Sequence, residues 1–323
     1  MTLAHSNLPG AGAPSSAPAG AAPSRLGGRL PSSPGGRRAV LIALAFIAPA
    51  FAFYLAFVLV PLGMSFFYSF LRWDGIGAWR FNGIENYIIV LTDSDLLQII
   101  GNAFELVAWF TLIPLILGLA VASVIREHLA GPFGTMTRTI LFIPQVIPLV
   151  AAGIAWSWMF ASMGLVNQVL RGLGLGFLAR GWLGDFTFAL PAVGVIGAWV
   201  LLGLCTMLLV TGITKIDPSL YEAARLDGAN GLQEFFYVTL PGLRQEIGVC
   251  VTVTVIAALA SFDIVYIATL GGPGIETTVP GLEIYRLAFA HRQVGLASAL
   301  AIFLMVLVIV CVLPIQWLTR PRR

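Results

Sequence analysis

Two groups of side chains in this chain have the types and spacing to do chemistry. The first is Tyr221-Glu222-Ala223-Ala224-Arg225-Leu226-Asp227-Gly228-Ala229, followed by Leu240-Pro241. Carboxylates at Glu222 and Asp227 offer charge-assisted hydrogen bonds to basic groups of a partner, and Ala223 and Ala224 permit close helix approach. The second group lies within apolar runs: Gln145, Trp199, Ser261, Asp263 and Tyr266. A carboxylate near the centre of a bilayer costs about 2.5–3.5 kcal/mol on insertion scales. Asp263 is therefore expected to face a wet cavity or a partner. It either helps line a path for a polar solute, with Ser261 and Tyr266, or braces the Gly271-Gly272-Pro273 turn that follows.

Other chemistry is missing. A phosphate-binding loop needs Gly-Lys before Ser or Thr, and Lys215, the only lysine, follows Thr214. The three histidines, His5, His128 and His291, form no metal-ligand pair. No GxSxG nucleophile elbow occurs. Cys205, Cys250 and Cys311 are odd in number, lack CxxC spacing and sit in apolar runs, which reads as buried inert thiols. The expectation is a chain that is not an enzyme and binds no cofactor, metal or nucleic acid.

The elements that must position these groups are membrane spans. The chain is 58% hydrophobic and 10% charged, with mean hydropathy +0.92. Soluble chains carry about 25% charged residues. Residues 1–38 open with an Ala/Gly/Pro/Ser-rich segment and read as a disordered tail. A first transmembrane helix follows at 39–64, its apolar run Ala39–Val60 too long for a signal-peptide core. Five more runs pass the length test of roughly 20 residues: Ala103–Ile125, Thr139–Phe160, Phe188–Ile213, Ile247–Leu270 and Leu296–Leu318. Pro144 and Pro148 mark the third as a broken helix beside a cavity or as a packing kink. With the N-terminus inside, twelve Arg and Lys residues fall on the cytoplasmic side against six outside. This predicts both termini, including the basic end 318–323, in the cytoplasm. The loop 214–246 then faces the cytoplasm too. There Asp217-Pro218 reads as an N-cap and first turn, Gly228 as a left-handed stop, and Gly231–Val238 as a second short helix ended by Pro241. Outside, Gly271–Arg292 reads as a docking surface or gate, or as a membrane-surface helix.

At this point the residues resemble a family. Glu222-Ala223-Ala224, Asp227-Gly228-Ala229 and Leu240-Pro241 are similar to the EAA loop of permease subunits in bacterial binding-protein-dependent ABC importers. Phe262-Asp263, Thr269, Gly271-Gly272-Pro273, Thr277 and Tyr285 resemble the sugar-permease branch, maltose- and glycerol-3-phosphate-type. Asn102, Leu117-Gly118-Leu119 and Trp156-Ser157-Trp158-Met159-Phe160 add to it. The resemblance covers about Leu97 to Trp317, with the core at 97–317. Gln245 stands where the family often has a further proline.

The resemblance implies an all-α protein of six transmembrane helices with a type I ABC importer permease core in the bacterial cytoplasmic membrane. It also implies a second homologous permease, two ATPase subunits that use the ATP, and an extracytoplasmic solute-binding protein. The ATPase would contact Tyr221 to Ala229 and Leu240-Pro241, with Glu222 and Gly228 at the matching contact positions. The solute would be a sugar or related polyol. The alternative is an ion-coupled secondary transporter working without an ATPase, a class that usually shows internal repeats.

Overall fold

The computed structural model describes residues 34–125 and 131–319. The expected tail up to residue 33, Arg126, His128 and residues 320–323 lie outside the described residues. An N-terminal unit reaches Val58. It holds helix α1 (Pro34–Tyr54) and the start of a π turn (Leu55–Leu59). Helix begins at Pro34, within the segment expected to be tail, because a proline is pre-organised for a first turn.

The second unit begins at Leu59. Helix α2 (Val60–Tyr68) leads to a two-stranded hairpin, β1 (Leu71–Arg72) paired antiparallel with β2 (Arg80–Phe81). Helices α3 (Glu85–Thr92) and α4 (Ser94–Ile125) follow. Next come α5 (Pro132–Val146), α6 (Leu149–Met159) and α7 (Leu165–Gly172). The long α8 (Ala189–Ile213) leads into α9 (Pro218–Leu226) and α10 (Gly231–Glu234). A π turn (Phe235–Thr239) joins α10 to α11 (Leu240–Gly242), before α12 (Arg244–Leu259). The chain closes with α13 (Asp263–Ala268), α14 (Pro280–Tyr285) and α15 (Val294–Thr319).

Among the described residues, four helices are long and apolar enough to cross a membrane, and two bent pairs bring the number to six when each pair counts as one span. The 25 residues of α8 reach about 38 Å, more than the roughly 30 Å hydrocarbon core. α4 and α8 run parallel and touch where Gly197 meets the Phe110 ring, with no room for a side chain at that glycine. Small residues drive helix association in lipid because they let backbones approach closely. α12 joins through a buried hydroxyl pair, Thr111 Oγ1 to Thr254 Oγ1 at 2.9 Å. Leu106, Phe110, Ile196, Ala258 and Val265 form the main apolar core among α4, α8, α12 and α13.

One open alternative resolves, to the broken helix, and two expected elements differ. The third run is two helices, α5 and α6, meeting at 98° across Ile147-Pro148. The fifth run does not stay helical to Leu270: α12 ends at Leu259 and Phe262 leaves the helical region (φ −144°, ψ −59°) before α13 resumes. Pro241 does not end the loop's second helix, which continues to Gly242 and turns 70° into α12 at Leu243. The preceding π turn widens the coil, so the proline ring meets no carbonyl in α-helical register.

Candidate functional site

The first site is the loop between α8 and α12. Asp217 caps α9, its Oδ1 accepting from the Ser219 backbone N–H at 2.9 Å. That bond, with the Ser219 side chain, holds the Asp217 carboxyl below the usual carboxylate range. α9 ends as its glycine requires: Gly228 has φ +82°. Its N–H reaches the Arg225 carbonyl at 3.0 Å, and the Ala229 N–H reaches the Ala224 carbonyl at 2.9 Å. This is a Schellman closure. Asn230 and Gln233 then form a reciprocal capping box on α10.

Three polar contacts fix this unit to itself and to the spans. Arg225 Nε meets Glu234 Oε1 at 2.8 Å, and the Tyr221 hydroxyl meets Thr239 Oγ1 at 3.1 Å. Lys215 Nζ meets Glu246 Oε1 at 2.9 Å, tying the end of α8 to the start of α12. Leu243 is fully buried in an apolar cluster with Val210, Ile213 and Cys250. Motion of α9 is thus mechanically connected to α8 and α12.

The structure separates the loop residues by exposure. Glu222, Ala223, Asp227, Gly228 and Pro241 are exposed, while Ala224, Ala229 and Leu240 are half-buried. Tyr221, only 7% exposed, is an internal brace rather than a free contact. Among the described residues, no side-chain hydrogen bond or ion pair engages Glu222 or Asp227. Sequence reasoning passed over the exposed apolar side chains around them: Leu226 (89%), Leu232 (71%), Tyr237 (79%) and Phe236 (55%). Large apolar residues in an otherwise polar loop were the available signal.

The second site is a cavity of about 510 Å³ between the two helix breaks. Gln145 and Pro148 come from the α5–α6 break, Ser261 and Asp263 from the α12–α13 break, and Phe110 and Gly197 from α4 and α8. Gly197 to Leu201 lie near the middle of α8, so the cavity sits at mid-span depth. The Gln145 Oε1 atom is buried and has no hydrogen-bond partner among the described residues. Asp263 is exposed to the cavity and makes no side-chain hydrogen bond or ion pair there. Irregular backbone is tolerated at membrane depth where it lines such a cavity.

Trp199 and Tyr266 do not line it. Trp199 packs edge-on against Trp156 at 5.6 Å, and Tyr266 stacks on Phe262 at 5.2 Å. Phe262 is itself a lining residue. Asp263 does not brace the Gly-Gly-Pro turn either. Asn102 Nδ2 donates to the Ile275 and Thr278 carbonyls at 3.0 and 2.9 Å, and Thr277 Oγ1 donates to the Gly272 carbonyl at 2.9 Å. Arg286 donates to the Leu270 carbonyl.

An apolar bundle with broken spans around a central cavity, and a structured polar loop at one end, defines a membrane permease. The chain belongs to the family described as "Binding-protein-dependent transport system inner membrane component", matched over residues 115–322. It has the type I ABC importer permease fold. It is 33% identical over 269 residues to the probable ABC transporter permease protein YurN of Bacillus subtilis, covering 83% of this chain and 92% of that one. It is also 33% identical over 278 residues to the diacetylchitobiose uptake system permease protein NgcF of Streptomyces coelicolor, covering 82% of this chain and 78% of that one. A chain of a bacterial ABC transporter that imports the acidic polysaccharide alginate superposes with TM-score 0.73 at 24% identity, covering 88% of this chain and 96% of that one. That likeness is one of fold.

Proposed function

We propose that this chain forms part of the pathway by which a sugar or related polyol crosses the cytoplasmic membrane, driven by separate ATPase subunits that seat on α9. The observation that carries it is the loop: Glu222, Asp227 and Leu226 stand open on a unit braced internally and tied to α8 and α12. Open carboxylates beside exposed apolar side chains suit a basic and apolar socket on another protein. In this reading α9 faces the cytoplasm, both termini lie on that side, and a second homologous permease completes the pathway. A solute-binding protein delivers the solute at the opposite end. ATPase closure would move the α9 units as rigid bodies and open the cavity outward.

The sugar class is supported by the name of the diacetylchitobiose relative. The cavity fits it: an unpaired amide oxygen at Gln145 and a carboxylate at Asp263 both accept hydrogen bonds from solute hydroxyls. The test is uptake into vesicles holding the permeases with and without their ATPases. ATP-dependent uptake that vanishes without the ATPases is expected. Proton-coupled uptake in their absence would overturn the proposal.

A further inference from the structure

At the end of the bundle away from α9, a cleft of about 630 Å³ lies between the β1–β2 hairpin and the start of α15. Arg72, Arg80 and Arg292 all line it. Arg72 and Arg80 are direct cross-strand partners, and like charges placed opposite one another destabilise a strand pair. Arg292 takes a left-handed backbone conformation at φ +54°, uncommon for a residue with a side chain. Among the described residues, none of the three makes an ion pair or a side-chain hydrogen bond. The lining holds two acidic side chains, Asp74 and Glu85, against the three arginines, so the cleft keeps an excess of positive charge although Arg292 lies close enough to Asp74 to favour its charged form. Asp74 Oδ1 accepts from the Ile76 and Gly77 N–H groups at 3.0 and 2.8 Å, and Glu85 sits in the first turn of α3.

Hydrogen bonds tie the walls of the cleft together. Asn86 Nδ2 holds the Ser69 and Leu71 carbonyls, both at 2.9 Å, and the Gly295 N–H reaches the Trp73 carbonyl at 3.3 Å. α15 carries this end to the other: its 26 residues span about 39 Å, and its last turn meets Arg244 just beyond the loop.

We propose that this arginine cleft is the seat for an acidic protrusion on the solute-binding protein, so that carboxylates of that partner offset the Arg72–Arg80 repulsion. The inference rests on the reading above that such a protein docks at this end. Complementary charge of this kind raises association rates and fixes register, and weakens with salt.

The test uses the assembled importer in nanodiscs and the solute-binding protein that supports uptake by the wild-type complex. Arg80→Glu should weaken binding about tenfold and flatten its salt dependence, while the ATPase subunits still copurify. Because this substitution places opposite charges across the strand pair, the thermal midpoint should hold or rise. Arg72→Gln with Arg80→Gln should weaken binding less, and Arg171→Glu, on α7 at the same end of the bundle, should leave it unchanged. Unaltered affinity in Arg80→Glu would overturn the proposal, as would a fall in thermal midpoint that tracks the loss in every variant. Unaltered affinity with loss of copurified phosphatidylglycerol would assign the cleft to lipid and overturn it too. Wild-type uptake without any binding protein would instead overturn the underlying reading.

Discussion

At the scale of single residues, the loop depends on conformation more than on contact. Nothing lies within 4 Å of where a β-carbon at Gly228 would sit, so steric room is not the constraint; φ +82° is. Gly228→Ala should therefore cost about 1–2 kcal/mol of local stability without blocking docking, whereas Gly228→Trp should uncouple uptake from ATP hydrolysis and leave membrane insertion intact. Uptake and ATPase copurification measured side by side check both, and unchanged uptake in the tryptophan variant would remove the coupling role. Asp217 gives a pH test. Its folded pKa is depressed, so its contribution is present above the unfolded value near 3.9 and is lost as pH falls through the depressed one. Amide protection in α9, corrected for intrinsic exchange, should stay flat from neutral pH to about 5 and fall only in stronger acid. Asp217→Asn should shrink that acid-dependent step.

Elements were legible in the sequence to the extent that their stops were local. Asp217-Pro218 and Gly228 announced both ends of α9, and Pro144 with Pro148 announced a discontinuity in the third run. The α12–α13 break was not legible because Ile247–Leu270 holds no proline and no glycine between Gly248 and Leu270. At the break Phe262 stacks on the nearby Tyr266 and packs against the distant Tyr285 at 5.8 Å. Pro241 misled for the opposite reason, since a π turn absorbs it. Asn102, which entered only through the family resemblance, carries the hydrogen bonds that fold Ile275–Thr278 against α4. Asn102→Ala leaves two carbonyls without their donor, at about 1–3 kcal/mol each if buried. A lowered thermal midpoint with α9 protection unchanged is the expected result.

On the scale of the whole molecule, the sequence could reveal the spans but not what their breaks enclose. Gln145 precedes Ser261 and Asp263 by over a hundred residues, and it meets them only because two discontinuities face each other beside α4 and α8. The same limit hid the arginine cleft, whose walls come from residues 71–89 and 292–296. The two sites make separable demands. In the proposed function the cavity takes the solute and α9 the ATPase, so damage to the cavity should change uptake without changing assembly. Asp263→Asn keeps the shape and one acceptor while removing the charge; Gln145→Leu removes the unpaired oxygen and adds apolar surface. Each loss of a hydrogen bond to a solute hydroxyl is worth about 0.5–1.5 kcal/mol, so each variant should raise the uptake KM several-fold. The double variant should shift preference toward less hydroxylated solutes. ATPase copurification and the thermal midpoint should stay near wild type, because Asp263 has no structural partner to lose among the described residues. If neither variant alters uptake rate or solute preference, the cavity is a packing void at the helix breaks, and the pathway must run along a face that this chain shares with its partner permease.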